Sequence, residues 1–499
     1  METRETSYKQ IVKSTGIFGG SQLFNMLIGV FRTKVAAALL GPLGVGLIGL
    51  YQSIIEMIRS VSGLGLHFSS VRDMAQANAG GDRQQINTTA SVLTRWIVFT
   101  AILGALLCIV FSKQISILAF DDSSKSPQIC LLSFSVFALT LSAGQKSMLQ
   151  GMRKIAYMAK ASVLGSLSGF IAASILYLTL GQEGIVPALL AAAFLSLVFT
   201  WWYRHKLPIQ RVSISLRETY LRGKKMVALG LFTMLSGVIS TLTMLLLKSQ
   251  IGRWADLDTV GLFQSSWSLT AIYLSAILSA MSADYYPRLC EVSGDNNKMV
   301  RYVNEQLHVV LLAATPLVVG MLLFAPWVLH LFYSAKFVPA EGLLRWQIAG
   351  SFLKVLSWPF GYILLSRSKG LLFLLTELLW HGSYLAFTWL LWEPLGLTAA
   401  GLAFLLAYVL YTLCLLLLAR RLCDFRIQRR NLYYLGLFLF FVLSAFLLAH
   451  VFHPAYWIKW SLSALILLVC SCVSLQELNR IWPLKDLWAS LKKRISKDD

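Results

Sequence analysis

Charge is scarce in this chain. Asp, Glu, Lys and Arg make up 13% of its 499 residues, about half the quarter that a soluble globular protein carries. With 57% of the residues hydrophobic and a mean hydropathy of +0.67, too little polar surface remains to coat a water-soluble body. The composition is that of a polytopic membrane protein. The seven cysteines (108, 130, 290, 414, 423, 470 and 472) lack CxxC or zinc-ligand spacing, and most lie in or beside apolar segments. Neither structural disulfides nor a metal site is expected from them. The sequence also lacks a nucleophile–base arrangement, a glycine loop for phosphates and a soluble domain for a nucleotide. It therefore predicts a protein that is not an enzyme, takes no cofactor and does not itself hydrolyse ATP. The polar start METRETSYKQIVKSTG runs into a full-length apolar segment and is not expected to be a cleavable signal.

Long apolar runs are abundant. Stretches able to cross about 30 Å of hydrocarbon as helix fall near 14–40, 43–66, 89–111, 128–148, 159–181, 184–203, 224–248, 259–283, 304–330, 341–366, 370–392, 397–419, 431–452 and 456–475. An all-α protein of about fourteen transmembrane helices is expected, since lipid demands that each segment satisfy its own backbone. With the N-terminus inside, the cytoplasmic segments hold 32 Lys and Arg and the opposite loops only five: Lys113, Lys125, Arg253, Lys336 and Lys459. This asymmetry obeys the positive-inside rule and places both termini in the cytoplasm. It also explains most of the net charge of +21 as topology and attraction to anionic lipid headgroups. The partner implied is a phospholipid membrane, not nucleic acid.

The chain nearly repeats itself. GLYQS at 49–53 returns as GLFQS at 261–265, and Leu-Phe-x-Met-Leu-x-Gly-Val at 23–30 returns at 231–238. Both copies run the same way across the membrane, so the repeat is parallel. Two six-helix lobes in a pseudo-two-fold arrangement follow: residues 1–203, a basic cytoplasmic linker at 204–223, and residues 224–419. Two extra helices at 420–475 and a basic tail at 476–499 complete the chain. Transporters built from parallel repeats bind near the midplane and expose the site alternately to each side.

The block YKQIVKSTGIFGGSQLFNMLIGVFRTKVAAALLGPLGVGLIGLYQS, followed by GLGLHFSSVRDMAQA, resembles the O-antigen translocases. These are polysaccharide flippases of the multidrug/oligosaccharidyl-lipid/polysaccharide exporter superfamily. The resemblance implies transfer of an undecaprenyl-diphosphate-linked oligosaccharide, an O-antigen or related surface polysaccharide repeat unit, between leaflets of the bacterial inner membrane. It also implies a place in lipopolysaccharide biosynthesis. A monomer is expected, with a polymerase of the same pathway as a candidate partner. Fourteen helices resemble the lipid II flippase branch, so a peptidoglycan precursor stays open as substrate.

Charges inside apolar spans are costly unless they face protein or water. Arg32, in GVFRTK, resembles the helix-1 arginine that faces the cavity in these flippases; a structural salt bridge is the other reading. A permanently charged guanidinium forks onto two diphosphate oxygens. Lys34 points to a different face and either snorkels outward or bends to the cavity mouth. Glu56 and Arg59 are three apart and therefore neighbours on a helix. They either neutralise each other, or Arg59 lines the cavity, as in the lipid II flippase branch, and Glu56 holds it or titrates. Lys354 and Glu377 pair across helices or line the cavity. His381, one turn from Glu377, is a candidate proton carrier or a hydrogen-bonded core residue. Lys248 and Arg345 read as snorkelling residues, and Arg95 as interfacial. Gln52 and Gln264, in the doubled motif, are expected at the lobe interface or in contact with sugar. Mainly basic buried charges disfavour a drug exporter, and short outer loops disfavour a membrane polymerase.

Overall fold

The computed structural model describes residues 2–210, 212–450 and 456–481. Among the described residues all regular structure is helical. The helices are α1 Glu2–Ser62, α2 Leu66–Ala79, α3 Arg83–Val110, α4 Ser112–Phe120, α5 Ser126–Gly151, α6 Ile155–Leu180, α7 Ile185–His205 and α8 Leu216–Trp254. They continue as α9 Leu257–Glu291, α10 Asn296–Leu323, α11 Ala325–Phe332, α12 Glu341–Ser366, α13 Gly370–Leu395, α14 Thr398–Cys423, α15 Arg429–His450 and α16 Tyr456–Ile481. The expected tail at 476–499 falls outside the described residues from 482 onward.

Eleven described segments are long and apolar enough to cross a membrane. Two of them, Gly20–Ser62 and Ile155–His205, span 43 and 51 residues, twice what one crossing takes. Each is interrupted. Within α1, Gly41 turns to φ 67, ψ −169 immediately before Pro42. Proline has no N–H to donate and crowds the helical conformation of the residue before it, and the residue there is a glycine, which alone adopts the positive φ of the break without strain. Between α6 and α7 the break is the short 3₁₀ turn Gly181–Gly184.

The chain divides into two compact units. One runs to Gln264 and includes Phe332–Lys336; the other holds Ser265–Leu331 and the chain from Phe337 onward. In the first unit α8 packs on α1 and α2. Small residues set its closest approaches, as expected where lipid gives no hydrophobic drive to helix association. Gly165 and Gly169 of α6 form a GxxxG stripe, and a Cβ at either would stand 3.1 Å from Ser196 Cα or Ala192 Cβ of α7.

In the second unit α14 packs on α12 and α13, and α10 packs on α12, α15 and α16. The buried carboxylate of Glu477 on α16 bonds Arg430 in the first turn of α15 and lies 3.5 Å from His308 Nε2 on α10. This cluster ties the last two helices to α10. A buried carboxylate needs such partners.

The repeat extends into capping and loop chemistry. α3 and α10 each begin on an aspartate, Asp82 or Asp295, whose side chain accepts a backbone N–H of the first turn. Two turns further in, polar side chains hold the segment that follows the sixth long helix of each half. Asn87 and Ser91 accept from Gln210 N and Val212 N. Asn304 accepts from Gln428 N and donates to Arg426 O.

Candidate functional site

The two copies of the doubled motif meet. A Cβ on Gly49 would lie 2.8 Å from the Gln264 side chain, and one on Gly46 only 2.2 Å from the Leu257 carbonyl oxygen. A Cβ on Gly261 would lie 1.9 Å from the Pro42 carbonyl oxygen. Lys248 of α8 fastens the same place. Its Nζ donates to Gly49 O at 3.1 Å and to Ser53 Oγ at 2.7 Å, and the residue is only 5% exposed. The expectation that Lys248 snorkels is therefore corrected: its ammonium is bonded inside the protein, to the first copy of the motif. Nearby, Ser249 bonds Leu118 O, and Arg253 bonds Ile117 O at 2.9 Å and pairs with Asp121 at 3.4 Å. α8 is thus held against both α1 and α4.

At its other end α8 touches the first half through glycine again. A Cβ on Gly65 would stand 2.2 Å from the Gly230 carbonyl oxygen. Between these contacts the helices part, and a cavity of about 250 Å³ opens, lined by Arg59, Ser60, Gly63, Thr233, Met234 and Gly237. A second cavity, of about 100 Å³, lies on the other side of Arg59 and is lined by Ser70, Thr100, Thr140 and Gly144. Arg59 is the charged side chain common to both.

The guanidinium of Arg59 is weakly tethered, with Nη2 3.5 Å from Leu139 O. Glu56 is exposed and makes no ion pair within 4.0 Å of Arg59, but lies within electrostatic reach of both Arg59 and Lys248. Lys146 of α5 also acts on Arg59. Lys146 lies within the expected span 128–148, and α5 continues past it to Gly151. Arg32 is exposed on α1 within electrostatic reach of Tyr177; Lys34 and Gln52 are half-buried. The structure therefore gathers Arg59, Glu56, Lys146 and Lys248 in one region.

In the second unit, Glu377 Oε1 accepts from Tyr411 OH at 3.2 Å, and its Oε2 stands 3.8 Å from His381 Nε2. Lys354 on α12 is within electrostatic reach of Glu377. These residues adjoin an aromatic cluster in which Trp380 packs on His381, Tyr384, Phe404 and Tyr408. Arg345, read as snorkelling, is buried and lies 3.5 Å from Glu341, one turn before it.

Lys248 gives a test of its own. A buried ammonium whose hydrogen bonds go only to neutral acceptors, with Glu56 acting on it beyond ion-pair distance, gains less than its desolvation costs. Lys248→Met keeps the volume and removes the charge, so the thermal midpoint of the purified protein should hold or rise. Lys248→Ala leaves a void worth about 2–5 kcal/mol and should lower the midpoint. Equal losses in both variants would show that the charge itself secures the contact.

The architecture is that of the multidrug/oligosaccharidyl-lipid/polysaccharide superfamily of transporters. An inward-facing multidrug-resistance MATE transporter of that superfamily superposes with a TM-score of 0.66 at 18% identity, covering 83% of this chain and 96% of that one. The lipid II flippase MurJ, in an inward closed conformation, superposes with a TM-score of 0.66 at 15% identity, covering 92% of this chain and 99% of that one. The chain itself belongs to the family described as "Polysaccharide biosynthesis protein", whose model matches residues 35–341. It is also 23% identical over 401 residues to the lipid III flippase of Escherichia coli K12, across 79% of this chain and 94% of that protein. The superfamily resemblance of the N-terminal block is borne out.

Proposed function

We propose that this protein is a flippase for a polyprenyl-diphosphate-linked oligosaccharide. The substrate is the repeat unit of an O-antigen or a related surface polysaccharide, and movement is from the cytoplasmic to the outer leaflet of a bacterial inner membrane by alternating access. The observation that carries this reading is the Arg59 cavity. It is a small intramembrane space whose charged wall is a guanidinium, with Lys146 close by and hydroxyls around it. Such a wall suits a diphosphate and opposes a cationic drug. Arg32 and Glu56 are exposed on apolar spans, which hydrocarbon would not tolerate; both face an aqueous path for the headgroup. Lys354, Glu377 and His381 serve coupling or gating in the second half, and Lys34, Gln52 and Gln264 border the path.

Fourteen crossings accompany this function. The eleven apolar segments include two of double length, and α9 at 35 residues is long enough for one more. Two six-helix lobes, 1–203 and 224–419, carry the transport cycle. Both termini are cytoplasmic, as the basic segments require. The relationship to a lipid III flippase supports the class of substrate, and a lipid II precursor is the second reading, since fourteen crossings resemble the lipid II flippase branch.

The test is deletion of the gene with complementation. Mass spectrometry of lipid extracts should find undecaprenyl-linked repeat units accumulating while surface polysaccharide disappears, both reversed by the intact gene. Accumulating lipid II with loss of viability would move the assignment to peptidoglycan precursor. Unchanged lipids with altered drug sensitivity would refute the flippase.

A further inference from the structure

Another cavity of the first unit lies apart from Arg59, under the segment that joins the two halves. Asn87, Ser91 and Arg95 recur every four residues on α3 and so share one face. The joining segment lies along that face. Gln210 N bonds Asn87 Oδ1 at 3.0 Å, Val212 N bonds Ser91 Oγ at 3.4 Å, and Ile214 O accepts from Arg95 Nη1 at 2.7 Å. Alternate residues of the segment are pinned, as suits extended chain. The segment roofs a cavity of about 580 Å³ whose cationic wall is Arg95, Arg204 and His205. No carboxylate belongs to its described lining.

Both guanidiniums are oriented by the protein. Arg95 makes its two bonds, to Ile214 O and Thr219 Oγ1, from Nη1 alone, which leaves Nη2 and Nε to donate. Arg204 Nη2 donates to Thr94 Oγ1 at 3.1 Å. Two held guanidiniums beside the hydroxyls of Ser91 and Ser213 match the oxygens of a phosphate.

The depth of the cavity identifies the carrier of that phosphate. One turn further along α3 from Arg95, Phe99 is about half exposed, and one turn back along α7 from Arg204 and His205, Trp201 and Trp202 are also half exposed. Exposed tryptophans mark the headgroup level of a bilayer, and the exposed Phe99 ring beside them suits acyl chains. We infer that this cavity binds the phosphate of an anionic phospholipid headgroup, whose acyl chains run past Phe99 and Trp201. Residues Arg420 and Arg426 line a cavity of about 550 Å³ at the corresponding place in the second half, with Asp424 in its wall; the acid-free site is the one in the first half.

The test uses the full-length protein in detergent, titrated with phosphatidylglycerol and, separately, with phosphatidylcholine, and read by native mass spectrometry. Arg204→Gln should weaken one phosphatidylglycerol equivalent by roughly ten-fold, the effect of losing one charge-assisted bond, and leave phosphatidylcholine adducts unchanged. Exposed Arg301→Gln should change neither. Equal phosphatidylglycerol binding by Arg204→Gln and the parent would overturn the assignment. So would displacement of phosphatidylglycerol by inorganic phosphate at matched concentration, which would mark a site for a soluble phosphate. Should Arg204→Gln fail to fold, a photoactivatable phosphatidylglycerol decides with the unaltered protein. It should label peptides covering 94–99 and 201–213, and labelling confined to other peptides would refute the site.

Discussion

Arg59→Ala should cut surface polysaccharide export at least ten-fold, with lipid-linked repeat units accumulating behind the block and the protein still present in the membrane at parental level. The size follows from the cavity. Arg59 is the charged side chain facing both spaces, and its one protein bond is long, at 3.5 Å. Little folding energy is therefore lost with the side chain, and what disappears is the fork that would hold a diphosphate. A hydrogen bond to a charged group is worth about 1.5–3 kcal/mol, hence a factor of roughly 10–100 in binding. Arg59→Lys keeps the charge without the planar fork and should fall between. Glu56 makes no ion pair with Arg59, so Glu56→Gln should leave folding intact and report only on whether the carboxylate takes part in the cycle. Normal export by Arg59→Ala would remove this cavity from the headgroup's path.

Much of this was readable before the fold was known. Membrane class, helical architecture and the doubled motif follow from hydropathy and from two matching pentapeptides, because apolar runs in lipid have one common solution. Long-range partners were not readable. Lys248 sits at the polar end of an apolar run, where snorkelling is the ordinary expectation. Its true acceptors are a carbonyl and a hydroxyl nearly two hundred residues away, and a carbonyl carries no sequence signature. Lys146 stands two residues before the end of the apolar stretch 128–148, where a lysine ordinarily reaches the headgroups; its electrostatic partner Arg59 is a long-range neighbour that hydropathy does not show. Arg345 had a visible signal in EGLLR, since Glu341 lies one turn earlier. Glu56 and Arg59 carry the same kind of signal and yet make no ion pair. Spacing puts two side chains on one face of a helix; what else competes for them decides whether they join.

Gly261→Val should lower the thermal midpoint of the purified protein sharply or abolish its accumulation, and Gly65→Val should do the same from the other end of α8. At Gly261 the obstacle is a backbone carbonyl, 1.9 Å from where a Cβ would stand, and at Gly65 it is 2.2 Å. Side-chain rotation relieves neither clash. α1 must instead part from the start of α9, or the Gly65 turn from α8. Overpacking of this kind costs about 1–3 kcal/mol even where neighbours can shift, and a backbone obstacle puts these sites at or above the upper end. Gly29→Ala is the control. Gly29 is helical with nothing within 4 Å of a Cβ, and alanine there should be neutral or stabilise by up to about 1 kcal/mol through helix propensity. A parental midpoint in Gly261→Val would mean that the two copies of the motif do not touch. A collapse in Gly261→Val beside an unchanged Gly29→Ala would mean that GLYQS and GLFQS are alike because each is one side of the same close contact, with glycine where the backbones meet.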